Sequence, residues 1–144
     1  MKPKPKKLKT IGRREWVHLP QLESYGIEAK VDTGAYRSVL HCISCEESER
    51  EGKRVLVTVF DLDGKGEKTF VFRNYSEKMV RSSSGHAEMR YIVKTTLKLG
   101  KKSIRSEVSL TDRSDMRYQV LIGRKTLQGR YRVNVAGKFL LDKP

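Results

Sequence analysis

The sequence predicts an all-β domain, a barrel or sandwich with at most one short helix. Three observations carry this. Val, Ile, Thr and aromatic residues recur in short runs, glycine-centred turn signals separate those runs, and a single segment, RKTLQ at 124–128, is short and helix-compatible. At 144 residues the chain has the length of one domain whose core needs no disulfide. Apolar residues, 37% against 33% charged, are sparse but clustered, which favours a folded chain over a disordered one.

The elements follow in order. Residues 1–10 begin MKPKPKKLK, with five lysines and two prolines and no apolar period, and read as a flexible basic arm ahead of one domain over 11–144. No stretch resembles a signal peptide or approaches the about 20 apolar residues of a membrane span, so a cytoplasmic protein with no membrane partner is expected. AKVDTG (29–34) alternates into a glycine turn, and Val39-Leu40 beyond it suit a core strand. Residues 53–73 hold two β-branched and aromatic runs around Asp63-Gly64-Lys65-Gly66, a hairpin signal. SSSGHAE (82–88) is a polar turn. Residues 89–113 give a second hairpin about Gly100-Lys101-Lys102. An apolar triplet then runs into Gly123, RKTLQ is closed by Gly129, and two terminal strands are expected around Ala136-Gly137.

Asp32 is the residue that invites chemistry. Thr33-Gly34-Ala35 are small enough for a sharp bend that presents the carboxylate at a strand end and lets another backbone approach. Two carboxylates brought together share a proton: one draws a proton from water while the other donates to the carbonyl under attack, and an amide is hydrolysed without metal or covalent intermediate. The simpler reading is that Asp32 caps its own turn, accepting a hydrogen bond from a following N–H.

The segments VDTGAYRSVL (31–40) and VLIGRKTL (120–127) resemble the two signature segments of retropepsin-like aspartic proteases. GRREWVHLPQL, AKVDTGAYRSVLH, SSSGHAEMRYIVKTTLKLG and SLTDRSDMRYQVLIGRKTLQGRYRV extend the resemblance over 11–141 to the bacterial family called ATP-dependent zinc proteases, itself retropepsin-like in fold. The resemblance implies a closed acid-protease barrel and an aspartic endopeptidase. Asp32 would be the catalytic carboxylate, Thr33 a hydroxyl bracing the turn against its counterpart, and Gly34 the point of close approach. Leu121, Ile122, Gly123 and Arg124 would form the supporting loop. One chain has one Asp-Thr-Gly, so a dyad requires a homodimer. The chain departs from the family pattern at Asn134-Val135, where Asp-Pro is usual, and at HCISC after the signature.

The family's association with ATP-grasp ligases that append glutamates implies an acidic, glutamate-rich peptide or protein tail as substrate. The net charge of +14, from 31 Lys and Arg against 17 Asp and Glu, agrees with this. Nucleic acid is a lower-ranked partner, because beyond the arm the basic residues are scattered in twos and threes with no basic helix or stacking motif. A peptide-binding or regulatory module on the same fold is the alternative to a peptidase. In SSSGHAEMR, His86 and Arg90 are candidates to hold a substrate carboxylate, Arg90 by its planar fork, with Ala35 lining the same site and the loop acting as a flap. His41, Cys42 and Cys45, with His86 and Glu88 at a distance, are half of a zinc knuckle without the second half, so no metal is assigned, and His18 has nothing at ligand spacing. There is no Walker-type phosphate loop, and no cofactor is expected.

Overall fold

The computed structural model describes residues 7–81, 85–112 and 117–142. Twelve strands appear in chain order: β1 (Lys9–Ile11), β2 (Arg14–Leu19), β3 (Ser24–Val31), β4 (Ser38–His41), β5 (Ser44–Arg50), β6 (Lys53–Phe60), β7 (Lys68–Phe72), β8 (Ser76–Arg81), β9 (Ala87–Leu99), β10 (Lys102–Thr111), β11 (Val120–Ile122) and β12 (Tyr131–Val133). A 3-10 turn at Pro20–Leu22 and one four-residue helix, α1 (Arg124–Leu127), complete the set, and no described helix is long and apolar enough to cross a membrane.

Six strands close a ring. β10 pairs β4, β4 pairs β11, β11 pairs β3, β3 pairs β2, β2 pairs β9, and the β9–β10 hairpin closes the circuit. Closure removes the exposed edges that an open sheet would have to protect. β11 is three residues long yet central, parallel to β3 (Ile122 opposite Val31) and antiparallel to β4 (Leu121 opposite Val39). The thirteen-residue β9 outruns the barrel: its C-terminal half pairs with β10 and β2, while its N-terminal end pairs with β8 to make a projecting hairpin. β5, β6 and β7 form a separate three-stranded sheet, and β1 lies parallel to β12.

Alternation decides what goes inside. Along β2 the inward residues are Glu15, Val17 and Leu19, and Leu40, Leu97, Leu99, Val108, Val120 and Ile122 from the other ring strands join the same buried cluster. Glu15 obeys the alternation although it is an acid. It is 1% exposed, and its carboxylate accepts the backbone N–H groups of Gly12 (2.7 Å), Leu140 (3.0 Å) and Leu141 (3.1 Å). A buried carboxylate is stable only with such partners, and here they tie the C-terminal segment to the barrel. Glu15→Ala strands these donors and is expected to lower the unfolding free energy by about 3 kcal/mol in urea titration, with Glu15→Gln losing less because one acceptor oxygen survives.

Both expected hairpins, the single helix and the core strand around Val39-Leu40 are present. The second terminal strand is not. After β12, Asn134 Oδ1 accepts the Ala136 N–H (3.0 Å) and Phe139 takes a left-handed φ of 53°. The donors that a strand would spend on a ladder go instead to the Arg14 carbonyl, from Phe139, and to Glu15. β1 begins at Lys9, within the stretch read as an arm, and residues 1–6 lie outside the described residues. Strands β5 (SCEESER) and β8 (SEKMVR) form from polar sequence by pairing with the stronger strands β6 and β9.

Candidate functional site

β3 ends at Val31, and the next residue, Asp32, donates its N–H to the Ile122 carbonyl (2.9 Å), which continues the β3–β11 pairing by one residue. Its side chain turns back: Oδ1 accepts the Gly34 N–H at 3.0 Å, and the Asp32 carbonyl accepts the Ala35 N–H at 3.2 Å. A Cβ at Gly34 would stand 3.2 Å from Oδ1, so a small residue suits this bend. The turn-capping role of Asp32 is therefore real. It occupies one carboxylate oxygen, and the half-buried side chain still borders an open cleft of about 510 Å³.

The expected supporting loop meets this turn directly. The Ala35 and Tyr36 carbonyls accept the N–H groups of Arg124 (2.9 Å) and Lys125 (2.8 Å), and Arg124 Nη1 donates to the Thr33 carbonyl (2.9 Å). Gly123 is buried against the Arg37 peptide, and its N–H donates to Ser38 Oγ (3.0 Å). Ser38 Oγ lies 2.7 Å from Thr126 Oγ1, which donates to Ser106 Oγ at 3.2 Å, a buried hydroxyl chain that fixes α1 against β4 and β10. Thr33 and Gly34 are exposed at the tip.

Charge distinguishes the cleft. Arg37, Arg81, Arg90 and Arg124 border it, whereas Asp32 is the one carboxylate among the described side chains that do so. Arg37 and Lys125 share Glu107 (3.1 and 2.6 Å), and hydrogen bonding from Lys125 above all holds the Glu107 carboxyl below its ordinary range. Tyr36, 49% exposed, has three cations about its ring: Arg37 at 5.1 Å, Lys125 at 5.7 Å and Arg124 at 5.9 Å from the centroid. The β8–β9 hairpin overhangs the opposite side, contributing Met79, Val80 and Arg81 from β8 and Arg90 from β9. Arg90 is paired with Glu88 at 2.7 Å, and its side chain is 9% exposed.

Of the residues singled out in the sequence, Asp32, Gly34, Ala35, Arg90, Leu121 and Arg124 converge on this cleft. Ile122 and Gly123 support it from behind. His86 lies just ahead of β9, exposed, and is not among the cleft side chains; Ser82–Ser84 lie outside the described residues. Asn134 caps its own turn and does not border the cleft. Sequence reasoning missed Arg37, Arg81, Tyr36, Met79 and Ser109. Arg37 and Tyr36 were within reach, sitting in the signature itself, but β8 carries no strand signal to bring Met79 and Arg81 forward. Ser109 belongs to a buried strand, and its hydroxyl is buried in the cleft wall without a protein partner. Among the described residues no three His, Cys, Asp or Glu side chains form a metal cluster, and His18 Nδ1 accepts the Gly26 N–H at 2.8 Å.

A closed barrel with an Asp-Thr-Gly turn anchored by a short inserted strand is the retropepsin-like arrangement, and comparison with known proteins agrees. The chain belongs to the RimB-like family, whose model, described as retropepsin-like aspartic endopeptidase RimB, matches residues 10–144. It is 35% identical over 136 residues to a probable alpha-L-glutamate ligase of Parasynechococcus marenigrum, covering 91% of this chain and 29% of that protein. A protein with the same description from Desulfotalea psychrophila is 30% identical over 131 residues, covering 89% and 28%. The chain thus spans about three-tenths of the length of these relatives. A crystal structure of a Legionella pneumophila protein of unknown function matches with a TM-score of 0.75 at 27% identity, covering 93% of this chain and 98% of that one.

Proposed function

We propose that this chain is an aspartic endopeptidase that works as a homodimer on acidic, glutamate-rich peptide segments or protein tails. The observation that carries the reading is the placement of Asp32 in a cleft bordered by four arginines and by no other described carboxylate. A lone ionised carboxylate can take a proton from water but leaves the carbonyl oxygen without an acid, so the second carboxylate comes from Asp32 of another copy across a two-fold axis. In that pair the ionised partner draws a proton from the attacking water, and the protonated one donates to the carbonyl oxygen. Collapse of the tetrahedral intermediate breaks the C–N bond as the amine takes up a proton. The exposed Thr33 and Gly34 stand where a second copy would meet the first. The arginines would hold substrate carboxylates on either side of the bond cut.

A second reading rests on the Asx turn. Because Oδ1 of Asp32 is already engaged by Gly34, a chain that stays monomeric would bind acidic peptides without cutting them.

The test is a glutamate-rich peptide with a fluorophore and a quencher at its ends, incubated with the chain over concentrations whose dimer fraction is read by sedimentation equilibrium. Cleavage is expected to rise with the dimer fraction, to weaken with ionic strength and to spare a lysine-rich peptide of equal length. Binding without cleavage by a chain that sediments as a dimer would replace the peptidase with the binding module.

A further inference from the structure

The HCISC segment forms the corner at which the chain leaves barrel strand β4 and enters the three-stranded sheet through β5. That corner is bolted down on both sides, with Cys42 N–H donating to the Thr111 carbonyl (2.8 Å) and Ile43 N–H to the Val59 carbonyl (2.7 Å). Cys42 is 2% exposed and Cys45 is half-buried, and neither is in a disulfide. Both thiols border one groove of about 400 Å³, together with Asp112 and Arg90. Arg90 also borders the Asp32 cleft.

We propose that Cys42 and Cys45 are a hydroperoxide-oxidisable dithiol that closes reversibly into an intramolecular disulfide. Two cysteines three positions apart on one fixed corner, with both side chains on the same groove, need little backbone movement to bond. Hydrogen bonding with Cys45 holds the Cys42 thiol below its ordinary range, against the opposing effects of burial and of Asp112, while the same interaction and burial push Cys45 up. Of the two thiols Cys42 is thus the readier to ionise, and the thiolate is the form that reacts.

The Cys42 thiolate attacks one peroxide oxygen. The O–O bond breaks, an S–O bond forms, and the departing hydroxide or alkoxide takes a proton. Cys45, losing its proton, then attacks the Cys42 sulfur. An S–S bond forms, the S–O bond breaks, and hydroxide leaves as water with the Cys45 proton. The dithiol loses two electrons and hydrogen peroxide is reduced to two waters. The ring so closed contains only Ile43 and Ser44 between the cysteines, and so short a loop gains little from chain entropy, which makes the bond easily reduced rather than a permanent staple.

The sequence has two cysteines, so thiol counting on the whole chain is unambiguous. Treatment of the folded protein with hydrogen peroxide is expected to remove both thiols with a mass loss of about 2 Da, to leave the chain uncrosslinked to other copies, and to be reversed by dithiothreitol. Cys45→Ser is expected to arrest at the Cys42 sulfenic acid, captured as a dimedone adduct. Two thiols still fully alkylated after excess peroxide would overturn the proposal, as would only oxygen additions or only disulfides between chains. Should Cys45→Ser not fold, the wild-type mass and a peptide linking Cys42 to Cys45 decide the matter.

Discussion

Asp32→Asn is expected to lower turnover of a glutamate-rich peptide by about a thousandfold or more, with stability changed by less than about 0.5 kcal/mol. The two effects separate because the proposed mechanism gives Asp32 a second job beside the cap. Its Oδ1 caps the turn by accepting the Gly34 N–H, and an Asn Oδ1 accepts the same bond in the same place. Its backbone is held by Ile122 and Ala35, which the substitution does not touch. What Asn cannot do is take a proton from water. Asp32→Ala removes the cap as well and should lose both stability and turnover, so the pair of variants distinguishes a capping residue from a catalytic one. Full cleavage by Asp32→Asn at unchanged dimer fraction would eliminate the peptidase reading.

The arginines sharpen that expectation. Their charges are partly matched from behind, Arg37 by Glu107 and Arg90 by Glu88, which holds the guanidinium planes in place without filling the cleft. Tyr36 adds a fixed ring with which Arg37, Arg124 and Lys125 all associate. Ordered donors lose less freedom on binding than free surface lysines do, so an acidic chain, as proposed, would meet a cleft already arranged for it.

Much of this was legible in the sequence, and the remainder was hidden for identifiable reasons. The Asp32 turn, the Gly123 segment and both strong hairpins announce themselves through residue types whose backbone preferences are local. β8 does not: SEKMVR pairs with β9 because β9 is long and has an open edge, a tertiary cause with no local trace. The tail failed in the opposite direction, since KFLL has strand-like residues but its N–H groups answer to the Arg14 carbonyl, from Phe139, and to Glu15, which is 125 residues away from Leu140. His86 and Arg90 sit four residues apart in one segment, yet Arg90 alone reaches the cleft, because the strand begins between them and fixes which side chains face it.

Gly123→Ala should destabilise the fold more than any other single-methyl change considered, by about 4 kcal/mol or more, lowering the melting temperature by about 10 °C or more. An added Cβ would fall 2.4 Å from the Arg37 carbonyl oxygen, 2.5 Å from the Arg37 carbonyl carbon and 2.9 Å from the Ser38 nitrogen. All three are backbone atoms in the run into β4, where no side-chain rotamer can relieve the clash. β4 and the Gly123 segment must separate, and separation strains the Gly123–Ser38 bond, the Ser38–Thr126–Ser106 hydroxyls and the N–H bonds from Arg124 and Lys125 that hold residues 35 and 36. Gly26→Ala is the control. Gly26 has a left-handed φ of 66° with open space around it, so the same methyl costs about 1 kcal/mol of backbone strain and no contact. Equal losses in the two variants, measured by urea titration, would show that the close approach at Gly123 is slack. A large loss at Gly123 alone would show that the Asp32 turn is held by packing against this strand-to-helix segment, which is the condition for aiming a carboxylate at a partner across a two-fold axis.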